Sequence, residues 1–128
     1  MVPIGGGLIS GIATAAKSIR SQTKIIGVQA KACPSAVQAC IEEKRVLADS
    51  KKSIADGIAV KQVGEINYII IQEKVDDIVL VEEDEIAAAI LTLLDRKKIL
   101  AEGAGAVPLA ALLSGRIEPS KGSKVVLS

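Results

Sequence analysis

Histidine, phenylalanine and tryptophan are absent from these 128 residues, and tyrosine occurs once, as Tyr68. Without imidazole, no Ser-His-Asp or Cys-His catalytic arrangement can be assembled, and zinc sites that need histidine are excluded. Cysteine is scarce: Cys33 and Cys40 are too few for a disulfide framework or a four-cysteine metal site. Their spacing of seven puts them on one helical face, where they read as two reduced, half-buried thiols in a cytoplasmic setting. Neither charge dominates, since sixteen basic and fifteen acidic residues nearly cancel and are interspersed. With no polybasic block and no series of aromatic rings to stack on bases, nucleic acid is not an expected partner. The only long uncharged run, Met1 to Ala16, is broken by Gly5, Gly6, Gly7 and Gly11. It falls short of the roughly 20 apolar residues of a spanning helix and lacks the basic start of a signal peptide, so no membrane association is expected.

What is present is aliphatic. Apolar residues make up 49% of the chain, enough for one core in a single domain over residues 1–128. Their periodicity alternates between strand and helix. Val2 to Ile4 reads as the end of a strand, and Leu8, Ile12, Ala15 and Ile19 recur at helical spacing up to about Arg20. Lys24 to Ala30 reads as a buried strand, rich in β-branched residues, and Pro34 opens a helix through Ala36, Val37 and Ile41. From Arg45 to Val63 the pattern dissolves into a polar connection. A helix follows from Glu65 to about Lys74, then a strand from Asp77 to Val81. The next helix has Glu82, Glu83, Asp84 and Glu85 at its start and Arg96, Lys97 and Lys98 at its end, complementing the macrodipole. Its expected core face is Ile86, Ile90, Leu93 and Leu94. A glycine turn at Glu102 to Gly105 leads to a helix through Leu109, Leu112 and Leu113, stopped by Gly115, and Lys124 to Leu127 reads as a final strand. This order predicts an α/β fold with a mostly parallel sheet and helices on both faces. A strand starting at residue 2 and another stopping at residue 128 give the expectation of a truncated piece of a larger sheet.

Three glycines between a strand and a helix, Gly5, Gly6 and Gly7, form the first candidate site. A tight turn needs only one glycine, whereas close approach of a phosphate to the backbone uses several, and the free N–H groups at a helix start favour an anion. A dinucleotide fold would want G-x-G-x-x-G and an acidic residue at the end of the next strand. Here Ser10 stands in place of the third glycine and that strand ends Gln29-Ala30-Lys31. A P-loop fails because no Gly-Lys-Ser/Thr follows. Asp56-Gly57 marks a turn, Glu102-Gly103-Ala104-Gly105 a second glycine-containing helix entry.

Taken together, VPIGGGLISGIA, KIIGVQ, IADGIAV, VDDIVLVEEDEIAAAI, EGAGAVPLAALLSG and KVVLS resemble, in order and spacing, the threonine/serine dehydratases of the fold-type-II pyridoxal-phosphate (PLP) enzymes, relatives of serine racemase. The resemblance covers essentially the whole chain and implies PLP as cofactor. It implies β-elimination of water from L-threonine or L-serine, with deamination to 2-oxobutyrate or pyruvate and ammonia, in a cytoplasmic homo-oligomer. It places the cofactor phosphate at Gly5, Gly6, Gly7 and the helix start at Leu8, although the family loop usually has four glycines. It sets the backbone of Gly57 beside the cofactor, the carboxylate of Glu102 near its ring, and the hydroxyl of Ser128 on the pyridine nitrogen. Racemase-like relatives carry a divalent cation on carboxylates at the positions of Gln29 and Ser35; neither residue is acidic, so no metal site is expected. The family's Schiff-base lysine and its substrate-carboxylate loop match no segment of this sequence, so no catalytic residue is assigned. Among the lysines present, only Lys61 lies near a candidate site, and solvated lysines are the rule. A non-catalytic α/β domain that binds a phosphorylated ligand or a partner chain is the alternative.

Overall fold

A computed structural model describes all of residues 1–128. In chain order the elements are β1 (Val2–Pro3), α1 (Gly7–Ile19), β2 (Ile26–Ala30), α2 (Ser35–Ile41), a single 3₁₀ turn (Asp56–Ile58), α3 (Glu65–Lys74), β3 (Asp77–Val81), α4 (Glu83–Lys97) and α5 (Gly103–Leu113). The three strands form one parallel sheet in the order β1-β2-β3, with Val2 opposite Gly27 and Gly27 opposite Ile78.

Each face of the sheet has its own core. On one side Val28, Ala30 and Val81 pack with Ile86 and Ala89 of α4 and with Ala106, Val107, Ala110 and Ala111 of α5. On the other, Val2, Ile4 and Ile25 pack with Ile9 and Ala13 of α1, Ala36 of α2 and Ile71 of α3. Helices on both faces of a parallel sheet is the expected architecture. Two parallel strands can be joined only by a crossover that passes over a face; here the crossovers carry α1, α2 and α3 over one face, and α4 and α5, which follow β3, cover the other.

Several expectations need correction. The stripe Leu8, Ile12, Ala15 and Ile19 is not the buried face of α1: Ile9, Ser10 and Ala13 are, while Leu8 and Ile19 are exposed. In the first two turns Ser10 is the only polar side chain, and it lies on the buried face, so spacing could not choose a face. The choice is made by β2, where Gly27 leaves a gap filled by Ile4 and Ile9; a Cβ at Gly27 would collide with Ile4 Cδ1. Leu94, expected in the core, is exposed. It lies eight residues beyond Ile86, about 80° round the helix, whereas Leu93 stays within about 20° of the stripe.

Lys24 lies outside β2, which begins at Ile26. The glycine turn expected at Glu102 to Gly105 is instead the cap and first turn of α5. Gly103 is required there because a Cβ would strike the carbonyl oxygen of Ile54. Residues 124–127 do not form a strand of the sheet. The Met1 amine donates to Val126 O (2.7 Å) and Ser128 N to Met1 O (3.1 Å), a single step of pairing beside the two-residue β1. A partner that short gives the segment nothing more to pair with.

Candidate functional site

The turn from β1 into α1 is built around Gly6, the N-cap of the helix, at φ 127°. That backbone conformation is strained for any residue with a Cβ. Ser10 bonds it and Asn67 crowds it. Ser10 directs both its N–H (3.2 Å) and its buried hydroxyl (2.8 Å) to the Gly6 carbonyl. From α3, the Asn67 amide lies against the Cα of Gly6, 3.1 Å from where a Cβ would stand. The first helical bond is the one from Ser10. The N–H groups of Gly5, Gly6, Gly7, Leu8 and Ile9 therefore have no acceptor within the chain.

The stretch from Gly5 to Leu8 opens on a cavity of about 480 Å³ outside the carboxyl end of β1. Gly5, Gly6, Gly7 and Leu8 form one wall. Gly57, Ile58 and Val60 form the second; a Cβ on Gly5 would stand at ordinary contact distance, 3.6 Å, from the Ile58 Cα. The third is the start of α5, with Glu102, Ala104 and Gly105, and Ser128 closes the rim beside Pro3. The structure thus brings together all seven candidate residues, Gly5, Gly6, Gly7, Leu8, Gly57, Glu102 and Ser128. Two helix N-termini meet there, since α5 makes its first bond only from Ala106 N to Glu102 O (3.2 Å). Their dipoles and unbonded N–H groups favour an anion in the space between them. The backbone loop and the volume fit a phosphate ester carrying one small ring.

Sequence reasoning missed Ser10 and Asn67, which shape the loop without lining the cavity. The signal for Ser10 was its position four residues after Gly6, from which a serine in a helix reaches back to the carbonyl. Asn67 had no comparable signal, because its contact depends on how α3 crosses α1. Lys61 is exposed and does not line the cavity, and no other lysine does. A cleft of about 640 Å³ beside Arg20, Lys24 and Lys124 and another of about 400 Å³ beside Cys40 and Ile71 contain no candidate residue.

Gln29 and Ser35 are fully buried and bonded to each other. The Gln29 amide nitrogen donates to Ser35 Oγ (3.2 Å) and Ile4 O (3.4 Å), and its oxygen accepts from Ala36 N (3.1 Å). That arrangement is satisfied as a neutral network, and no group of three or more His, Cys, Asp or Glu side chains is arranged to hold a metal ion. The buried Cys33 thiol lies 3.4 Å from Val60 O. Burial pushes its pKa up, against a hydrogen bond with Ser50 and the charge of Lys61.

Comparison with known proteins gives the family. Residues 1–128 match the family described as pyridoxal-phosphate dependent enzyme. L-threonine ammonia-lyase of Geobacter sulfurreducens is 52% identical over 126 residues, covering 98% of this chain and 31% of that protein. L-threonine ammonia-lyase of Thermotoga maritima is 43% identical over 129 residues, covering 100% of this chain and 32% of that protein. Among solved structures, the T.th. threonine deaminase superposes with a TM-score of 0.86 at 34% identity, over 92% of this chain and 44% of that one. The chain spans about a third of the length of the curated relatives it matches. Its parallel sheet and flanking helices are part of the fold-type-II PLP architecture, and the chain belongs to the pyridoxal-phosphate dependent enzyme family.

Proposed function

We propose that this chain carries the phosphate-holding part of the active site of a PLP-dependent L-threonine (or L-serine) ammonia-lyase. The observation that carries the reading is the cavity at the α1 N-terminus, where an unbonded run of N–H groups from Gly5 to Leu8 meets the Gly57 turn and the start of α5. In this reading Gly5, Gly6, Gly7 and Leu8 hold the cofactor phosphate through backbone donors. The Gly57 turn lies along the ring, and the Glu102 carboxylate stands beside it. The Ser128 hydroxyl hydrogen-bonds the pyridine nitrogen, and a neutral partner there leaves the ring less electron-withdrawing than an aspartate would. When bound, the cofactor supplies the electron sink for losing the α-proton and the β-hydroxyl. The reading assigns the Schiff-base lysine and the substrate-carboxylate loop to residues other than these 128, and the assembly to a cytoplasmic homo-oligomer. Relatives named L-threonine ammonia-lyase support the choice of reaction.

The test is fluorescence titration of the purified chain with PLP, competed by inorganic phosphate. Weak, non-covalent binding that phosphate displaces, and that Gly6→Val abolishes, is the expected result. Binding indifferent to Gly6→Val would overturn the loop assignment. The cavity wall carries no lysine, so a phosphate loop of this kind also suits a module that binds a phosphorylated ligand without reacting. Equal affinity for PLP and for simple phosphate esters would favour that second reading.

A further inference from the structure

The long connection between α2 and α3 supplies one wall of the cavity, yet almost none of it belongs to a helix or to the sheet. Backbone bonds such as Lys51 N to Ala32 O (2.8 Å) hold it elsewhere, and the stretch leading into the Gly57 turn is anchored by Glu83. Oε1 of Glu83 accepts from Ser53 Oγ (2.7 Å) and Oε2 accepts from Ile54 N (2.7 Å). The same Ser53 Oγ accepts from Ala55 N (3.0 Å), so one carboxylate orients three consecutive residues. Ala55 is fully buried, and its carbonyl accepts from Ile58 N (3.1 Å) to close the 3₁₀ turn that presents Gly57 to the cavity. Glu83 is the first residue of α4, where the helix dipole favours a carboxylate. Its neighbours are engaged elsewhere: Asp84 accepts from Glu85 N (3.0 Å), and Glu85 bonds Glu82 N (2.8 Å) and Arg116 (2.9 Å). Glu83 does not line the cavity itself.

We infer that Glu83 is a positioning residue which, through Ser53 and Ile54, sets the 53–58 segment as the wall against the cofactor ring; this rests on the cofactor reading above. The wall faces the ring and the α1 N-terminus holds the phosphate, so the two ligands separate the roles. Calorimetric titration with PLP and with inorganic phosphate is run on the wild-type chain and on Glu83→Ala, Glu83→Gln and Ser53→Ala. Losing a charge-assisted anchor is expected to weaken PLP binding about tenfold in Glu83→Ala while phosphate affinity stays at the wild-type value. Glu83→Gln restores most of the loss, because its amide oxygen still accepts from Ile54 N, and Ser53→Ala falls between. Wild-type PLP affinity in Glu83→Ala, or equal loss of both ligands, overturns the inference. If Glu83→Ala does not fold, Glu83→Gln and Ser53→Ala carry the comparison, and unchanged PLP affinity in both overturns it. A wild-type chain that binds neither ligand overturns the cofactor reading itself, and this inference with it.

Discussion

Lys17, in the last turn of α1, places its ammonium 2.8 and 2.9 Å from the two carboxylate oxygens of Asp76, one residue before β3. The same carboxylate accepts from Ile25 N at 2.6 Å, tying α1 to the entrance of two strands. Burial alone would push the Asp76 pKa up. The Ile25 N–H, the hydrogen bond and charge of Lys17 and the charge of Lys24 outweigh it and hold the carboxyl below its ordinary value. A depressed folded-state pKa contributes stability above the ordinary carboxylate range, and that stability is lost as pH falls through the folded value. Asp76→Asn is expected to cost about 1 kcal/mol at neutral pH, since the pair is partly solvated. The two melting midpoints, measured against pH, should converge in acid; a constant gap would contradict the linkage.

Gly6 and Gly7 should respond differently to alanine. Gly6 needs φ 127°, so Gly6→Ala carries about 1–3 kcal/mol of backbone strain. It should lose phosphate binding as well. A Cβ on Gly7 meets nothing within 4 Å, so Gly7→Ala should fold with near wild-type stability. Paired urea melts and phosphate titrations distinguish the two.

The α5 entry gives a second contrast. Gly103→Ala would drive a Cβ into the Ile54 carbonyl and is expected to destabilise by about 3 kcal/mol, within the range for overpacked sites. Gly105→Ala meets only the Glu102 Cγ, at 3.9 Å, and should be tolerated. Chemical denaturation of both variants decides it.

Ser35→Ala would leave the Gln29 amide nitrogen with one long bond, to Ile4 O at 3.4 Å. The expected loss is about 1–2 kcal/mol, the cost of a buried donor deprived of its partner. Urea midpoints of wild type and variant measure it, and no shift would show that the network is slack.

Where local chemistry was unambiguous, the sequence was readable to the residue. The helix from Glu65 to Lys74 and the strand from Asp77 to Val81 stand where expected, because charged ends and a β-branched run each permit one period. The face of α1 was not readable: Leu8 and Ile9 are equally apolar, and only the gap at Gly27 selects between them. Likewise Gly103 and Gly105 look alike in sequence, and the passage of Ile54 beside α5 makes one indispensable. The convergence of Gly5, Gly57, Glu102 and Ser128 on one cavity lies beyond any periodicity, since it depends on contacts among segments up to 123 residues apart; the family resemblance alone pointed to it.

Ile4 and Ile9 flank the glycine loop on both sides, and both side chains seat over the bare Cα of Gly27. The aim of the loop is therefore inherited from the β2 interior rather than adjusted at the surface. A substitution that repacks this layer turns the N–H groups of Gly5 to Ile9 with it. Ligand affinity and core stability are then not separate quantities for selection to tune, and suppressors of a weakened anion site should arise as often in the sheet as in the loop.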